Sequence, residues 1–269
     1  MTQSPRTAIF PVAGRGTRMR PATYAVPKEL LPVLDTPLID FAIDEAIEAG
    51  CERLVFVSHP DKGAIREHVL TCHEHKAEIE FVYQPKALGL GHAVLCGREA
   101  SLPGPVAVLL PDDVILGPKG CLTEMVEANA PRGHRIATMP VIREHVSRYG
   151  ILAARNALGP VVPANSIVEK PSPEEAPSTM AVVGRYILEA DIFDALERTV
   201  PGAGGEIQLT DAIAATSRSV GLNGIMFSGR RFDCGSKEGL LEATIARASL
   251  DPTFAHVIQE QRAPTTHAA

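Results

Sequence analysis

The chain has 269 residues, 45% of them hydrophobic and 22% charged, which is enough to bury a substantial core as one large α/β domain or two small ones; we read it as one domain with an elaborated second half. A net charge of −6 and a pI near 5.9 give no long-range attraction for nucleic acid or an anionic membrane, so those partners are excluded while a local basic pocket for phosphates is not. The five cysteines, Cys51, Cys72, Cys96, Cys121 and Cys234, are odd in number and widely spaced, without zinc spacing, and read as reduced thiols of a cytoplasmic protein.

Residues 1–6 are polar and carry no signal-peptide core, and the apolar runs are strand-sized, so no membrane segment is expected. Apolar segments of strand length recur at residues 7–13, 53–58, 79–84 and 106–110, each followed by a loop and a stretch of helical periodicity, the alternation of a parallel sheet. One helix is well punctuated: Thr36 can cap it, Pro37 suits its first turn, Leu38, Phe41, Ala42 and Ala46 form its apolar stripe, and Gly50 can end it. The string Cys72-His73-Glu74-His75 contains metal-capable types without a second pair and reads as a surface loop or helix end, and the other histidines show no constellation. From Tyr149 onward, strands are expected at 151–154, 166–169, 181–188 and 224–227 and helices at 207–217 and 237–248. Pro-containing stretches at 159–164 and 171–177 read as loops flanking a strand that carries Glu169-Lys170-Pro171. The tail, 251–269, has weak pattern, and its last residues, around Pro264-Thr265-Thr266-His267, are expected to be mobile. The fold class is α/β: a single Rossmann-like mixed, mainly parallel sheet flanked by helices.

The first strand runs into Ala13-Gly14-Arg15-Gly16-Thr17-Arg18, a turn in which glycine lets backbone N–H groups approach phosphate oxygens. A dinucleotide fold is one reading, with Asp35 at the distance for ribose recognition. Met19 occupies the place of the third glycine, however, and Pro21 and Pro27 would break the long helix that must follow. The chain instead supplies Arg18 and Lys28 from an extended, proline-stiffened segment able to fold over a polyphosphate.

A strand, then G-x-G-T-R, then P-K-x-L-L-P resembles the signature of sugar-1-phosphate nucleotidylyltransferases, and the string from Pro11 to Pro32 is similar to their uridylyltransferase branch. The resemblance runs from about Thr7 to about Ser249. It returns in Gln84-Pro85, Gly89-Leu90-Gly91-His92-Ala93, Leu110-Pro111-Asp112-Asp113, Tyr149-Gly150, Val168-Glu169-Lys170-Pro171, Val183-Gly184-Arg185-Tyr186, the 205–211 string and Asp233-Cys234-Gly235.

That resemblance implies transfer of the uridylyl group of UTP to glucose 1-phosphate, giving UDP-glucose and pyrophosphate. It implies a nucleotide-binding half (7–148) and a sugar-binding half (149–250) within one domain (1–250). Arg18 and Lys28 would neutralise the triphosphate as catalytic residues, and Ala13, Gly14, Gly16, Thr17, Gln84 and Gly89 would hold the nucleotide. Asp112 and Asp233 would hold Mg²⁺, with Asp113 a weaker match. Gly150, Glu169 and Lys170 would meet the sugar phosphate, Glu169 at the hydroxyls and Lys170 at the phosphate; on spacing alone that pair reads as a surface strand. Glu206 and Asp211 are read as capping and packing residues, and His92 as structural. A homo-oligomer, dimer or tetramer, is implied as well. Two departures stand out: Tyr24 occupies a position where that branch usually carries Lys, and the segment between His68 and Glu78 is short, which points to a smaller assembly. A glucose-1-phosphate thymidylyltransferase and a non-catalytic sugar-nucleotide-binding regulator are the alternatives; intact Arg18, Lys28, Asp112 and Asp233 weigh against the second.

Overall fold

A computed structural model describes residues 3–154, 159–202 and 205–262. The chain order is β1 (Thr7–Pro11), β2 (Pro32–Val33), β3 (Thr36–Pro37), α1 (Leu38–Glu48), β4 (Arg53–Ser58), α2 (Gly63–His73), β5 (Glu78–Tyr83) and α3 (Leu90–Cys96). It continues with β6 (Val106–Leu109), β7 (Asp113–Leu116), α4 (Cys121–Glu127), β8 (His134–Pro140), β9 (Gly150–Ala154), β10 (Val161–Glu169) and β11 (Met180–Leu188). The last elements are α5 (Asp191–Arg198), α6 (Leu209–Val220), β12 (Leu222–Met226), β13 (Arg230–Asp233), α7 (Lys237–Leu250) and α8 (Ala255–Arg262).

Nine strands make one sheet in the order β5-β4-β1-β6-β11-β8-β12-β10-β9. The pairings set β10 and β11 against the direction of the other seven, so the sheet is mixed and mainly parallel. Its central strands read as continuous apolar runs because helices cover both faces: Ala8, Ile9 and Phe10 and all of β6 are fully buried. One face packs against α1, α2 and α4, where Phe10 stacks on Phe56 at 4.8 Å and Phe56 on Phe81 at 5.2 Å across three adjacent strands. The opposite face packs against α3, α5 and α6. From β1 the chain moves outward to β4 and β5 and then returns to β6 on the other side, so a switch point opens between the carboxyl ends of β1 and β6. Ligands of open α/β sheets bind in such a crevice.

Several local expectations need correction. Thr36 does not cap α1: it pairs with Val33 in the β2–β3 hairpin and its hydroxyl donates to Asp35 at 2.9 Å, while Pro37 precedes the helix without a side-chain cap. Residues 161–164 of the expected 159–164 loop belong to β10, where an irregular register against β9 accommodates them. The front of the tail forms α8, packed on α7; its final residues, including 264–267, lie outside the described residues. The sheet also contains β8, which the apolar pattern missed because its first two residues are His134 and Arg135. Both are buried, with Arg135 donating to the carbonyls of Met125 and Gln3 at 3.2 and 3.1 Å.

His134 is fully buried between two partners that fix its tautomer. Its Nδ1 accepts from the Glu189 N–H at 3.1 Å, and its Nε2 lies 2.9 Å from the Thr216 hydroxyl, which itself donates to Ala212 O. Nε2 therefore carries the proton. Burial pushes this imidazole down to about 4. Its folded value lies below the unfolded value, so the native state binds fewer protons: the contribution is whole above pH ~6.5 and is lost as pH falls toward 4, by about 3 kcal/mol there. In urea denaturation at stepped pH, His134→Gln, which keeps a donor and an acceptor without titrating, is expected to flatten the acid limb across that window. An unchanged limb would contradict the assignment.

Candidate active site

The loop after β1 holds the first group of candidates. Gly16 has φ +61, and a Cβ there would lie 3.0 Å from Lys28 Cβ, so glycine permits the loop to close onto the Pro27-Lys28-Glu29 segment; the Thr23 hydroxyl pins it by donating to Gly16 O at 2.8 Å. Thr17 then opens a single 3-10 turn, Thr17–Met19, whose Met19 is buried with Leu31, Val33, Val114, Phe232 and Cys234. This small core joins the glycine loop to β7 and β13 and delivers Arg18 to the site. Tyr24, which stands where Lys was expected, is 73% exposed and stacks under Arg20.

Lys62 braces the same region from the start of α2. Its ammonium donates to Val12 O at 2.7 Å and Glu29 Oε2 at 2.8 Å, joining the end of β1 to the Lys28 segment. Glu29 is only 1% exposed, and burial pushes its carboxyl up and the Lys62 ammonium down.

Beyond β6 the two neighbouring aspartates part company. Asp113 turns inward, accepting from the Gly184 N–H at 2.7 Å and from Arg231 Nε at 2.6 Å, and burial pushes its carboxyl up. Asp112 faces the crevice, where Lys28 Nζ lies 2.6 Å from its Oδ2. Burial pushes Asp112 up, but the Lys28 ammonium more than offsets it and holds the carboxyl below the ordinary range. Burial likewise pushes Lys28 down, and Asp112 and Glu29 outweigh it, so the ammonium stays charged.

Antiparallel pairing of β7 with β13 sets Asp233 opposite Asp113, and the Cys234 N–H donates to Asp112 O at 2.8 Å. A Cβ added to Gly235 would lie 2.9 Å from Asp112 Oδ2, 3.1 Å from Asp233 Oδ1 and 2.9 Å from Arg18 Nη2. Two carboxylates and a guanidinium thus converge on one glycine. Hard oxygen donors in that number fit Mg²⁺, which takes one or two carboxylates and completes its shell with water and phosphate oxygens.

Two cavities meet at this point, sharing Leu90, Leu110 and Asp112 in their walls. The smaller, about 340 Å³, is bounded by Ala13, Gly14, Lys28, Gln84 and Gly89. Gly16 and Thr17 line neither cavity and act through the loop's shape. Gln84 was expected to offer both a donor and an acceptor to a base. Its Nε2 is instead occupied, donating to Gly89 O at 3.1 Å and to His92 Nδ1 at 2.9 Å, which leaves Oε1 as the free acceptor and gives His92 the task of holding the amide. Gly89 has φ +96, and a Cβ there would meet Glu206 Cβ and Ile207 O at 2.8 Å. The 205–208 string therefore closes the cavity by backbone packing, sealed by Ile207 N–H to Leu88 O at 2.7 Å; Glu206 does not cap α6.

The larger cavity, about 490 Å³, is walled by Arg18, Gly150, Glu169, Lys170 and Asp233, among others. β10 ends at Glu169, and Lys170 takes φ +44, which breaks the strand alternation and sets both side chains on one cavity with their charges 3.3 Å apart. Gly150 pairs with Glu169 across β9 and β10, and a Cβ there would lie 3.3 Å from Glu169 Oε2, so its bare backbone lines the wall. Arg231 and Arg148, which stand in none of the motifs, also line this wall, as does Tyr149, which the sequence offered only as the neighbour of Gly150. Arg231 was legible in principle: it sits two residues before Asp233 on β13, on the same face. It pairs with Asp113 and lies over the Tyr149 ring at 5.5 Å.

The profile of the nucleotidyl transferase family matches residues 8–249, which span every residue of both cavity walls named above. The chain belongs to that family. Among relatives of this nucleotidyl transferase is a UTP–glucose-1-phosphate uridylyltransferase of Pseudomonas aeruginosa, 41% identical over 263 residues, covering 89% of this chain and 94% of the relative. A crystal structure of a UDP-glucose pyrophosphorylase complexed with UDP-glucose superposes with a TM-score of 0.82 at 37% identity, covering 90% of this chain and 98% of that one. A UTP-bound pyrophosphorylase of the same kind from Acinetobacter baumannii gives 0.84 at 33% identity, with 96% and 98% coverage. Among the described residues no helix is long and apolar enough to cross a membrane.

Proposed function

We propose that this nucleotidyl transferase moves the uridylyl group of UTP to glucose 1-phosphate, releasing pyrophosphate and UDP-glucose. The observation that carries the proposal is the meeting of two cavities at Asp112, one walled by the glycine loop and Gln84, the other by Gly150, Glu169 and Lys170. The named relatives favour UTP over dTTP.

In this reading residues 7–148 hold the nucleotide and 149–250 the sugar phosphate. Backbone N–H groups of Ala13 and Gly14 and the Gln84 Oε1 meet the base, with Gly16, Thr17 and Gly89 shaping the loops. A phosphate oxygen of glucose 1-phosphate attacks the α-phosphorus, the bond to the β-phosphate oxygen breaks, and pyrophosphate leaves with the electron pair. The second pKa of a phosphomonoester is near roughly 6, so the nucleophile is already largely ionised and no general base is needed. Catalysis is positioning and charge neutralisation. Arg18 offers a planar fork and Lys28 a point charge to the triphosphate, and Lys28 exchanges Asp112 for phosphate oxygens as the nucleotide enters. Asp112 and Asp233 would hold Mg²⁺, which when bound neutralises charge on the phosphates. Five cysteines, none of them in a disulfide, suit a cytoplasmic enzyme, and we read the assembly as a homo-oligomer, dimer or tetramer.

The test is pyrophosphate release over a panel of nucleoside triphosphates and hexose 1-phosphates. UTP with glucose 1-phosphate is expected to lead; equal or greater turnover with dTTP would favour the thymidylyltransferase, and no turnover with any pair the binding regulator. The same panel separates two neighbours. Glu169→Gln should narrow the gap between glucose 1-phosphate and its epimers, because the amide turns one acceptor oxygen into a donor and removes the charge that strengthens the other, so the hydroxyl pattern is read less selectively. Lys170→Met should lower kcat/KM by a similar factor for every hexose while UTP binding persists.

A further inference from the structure

The expectation that the histidines form no constellation is overturned at the side of the sheet covered by α1 and α2. Asp40, in the first turn of α1, has its Oδ1 2.8 Å from Nε2 of His68 and 2.8 Å from Nε2 of His73, both on α2. One donor atom from each residue lies within 4.8 Å of the others. His73 is 3% exposed, and its Nδ1 has no hydrogen-bond partner among the described residues. The side chains of His68 and Asp40 are 21% and 14% exposed, so the cluster opens to solvent on one side. None of the three lines the two cavities of the active site.

Burial pushes the Asp40 carboxyl up, yet its bonds to His73 and His68 outweigh burial and hold it below the ordinary range as an anion. The shared Asp40 oxygen accepts from both rings and so holds two imidazole nitrogens and one carboxylate oxygen together at one place. These three atoms are also the donor set of a borderline divalent ion. A tetrahedral ion at about 2.0–2.1 Å asks for roughly 3.3 Å between neighbouring ligand atoms; here each His–Asp40 pair is at 2.8 Å and all three donor atoms lie within 4.8 Å of one another.

We propose that Asp40, His68 and His73 bind a zinc-class divalent cation, separate from the Asp112–Asp233 pair, that ties the start of α1 to the end of α2. Each neutral imidazole ligates through the Nε2 lone pair with its proton on Nδ1, and water completes the shell. Nitrogen donors discriminate against Mg²⁺. The site does not depend on which nucleotide or sugar the enzyme uses.

The experiment uses the full-length, tag-free chain carrying Asp112→Asn and Asp233→Asn, so that the active-site acids do not take the probe. Co²⁺ retained after dialysis at about pH 8, where imidazole is neutral, is measured by metal analysis and visible absorption. One Co²⁺ per chain is expected, displaced by Zn²⁺ and not by excess Mg²⁺. Adding His68→Asn, at the most exposed of the three positions, should weaken retention at least ~100-fold, whereas Cys72→Ser, at the neighbouring thiol, should leave it unchanged. Circular dichroism confirms the fold of each variant, and Asp40→Asn is read in place of His68→Asn if that chain is unfolded. No retained Co²⁺ in the parent chain, or retention that survives loss of these ligands, would overturn the proposal.

Discussion

Asp112→Asn is expected to lower kcat by about 10²–10³-fold while the folded chain persists. Asp112 is the one residue of the acidic pair that both cavities share with Leu90 and Leu110, and it faces Lys28 at 2.6 Å and Arg18 across Gly235. Asparagine keeps the shape and can still accept from Lys28, but removes the charge that would hold an ion against the departing phosphate. Loss of one preorganised electrostatic group in a dry site costs about 2.7–4 kcal/mol of transition-state stabilisation. Steady-state pyrophosphate release in saturating Mg²⁺, beside a thermal melt, distinguishes this from unfolding. A variant with the parent's kcat would remove Asp112 from the catalytic machinery.

Glu45→Ala is expected to be the most damaging single change to stability, at about 3–5 kcal/mol, because it strands a buried cation. Arg185 is fully buried and donates to both Glu45 oxygens, from Nε at 3.0 Å to each and from Nη2 at 2.8 Å to Oε2, while its Nη1 donates to Leu110 O at 3.0 Å. Glu45 Oε1 also accepts from the Leu122 N–H at 2.8 Å. One ion pair therefore ties α1, β11 and the start of α4 to the loop that presents Asp112. Urea denaturation should show the loss, and Glu45→Met with Arg185→Met should lose less than Glu45→Ala, since apolar partners leave no buried charge. A single-variant loss below about 1 kcal/mol would mean that water reaches Arg185.

Much of the first half was legible because β1, β4 and β6 are largely apolar runs and the loops carry glycine, proline and charge in fixed order. β4 falls at the expected residues, and the Gly16–Lys28 approach follows from a motif visible in the string. Legibility failed where polar side chains are buried for long-range reasons. β8 begins with His134 and Arg135, whose partners lie on other segments: Thr216 and Glu189 for the histidine, Met125 and Gln3 for the arginine. The Asp40–His68–His73 cluster joins residues up to 33 apart along the chain, and no local spacing announces it. At the site, Asp112 and Asp113 read as a pair, yet only Asp112 lines both cavities, while Asp113, in the wall of the larger one, is engaged by Arg231 and the Gly184 N–H. The ending of β10 was anticipated from Pro171, and the left-handed Lys170 is how the backbone achieves it.

Direct uridylyl transfer is tested most directly by following α-³²P-labelled UTP incubated with the enzyme, Mg²⁺ and glucose 1-phosphate. Label is expected to pass into UDP-glucose with one pyrophosphate released for each, only when both substrates are present, and none is expected to be held covalently by the protein. Label that stays in UTP, or that leaves UTP without glucose 1-phosphate, would contradict it.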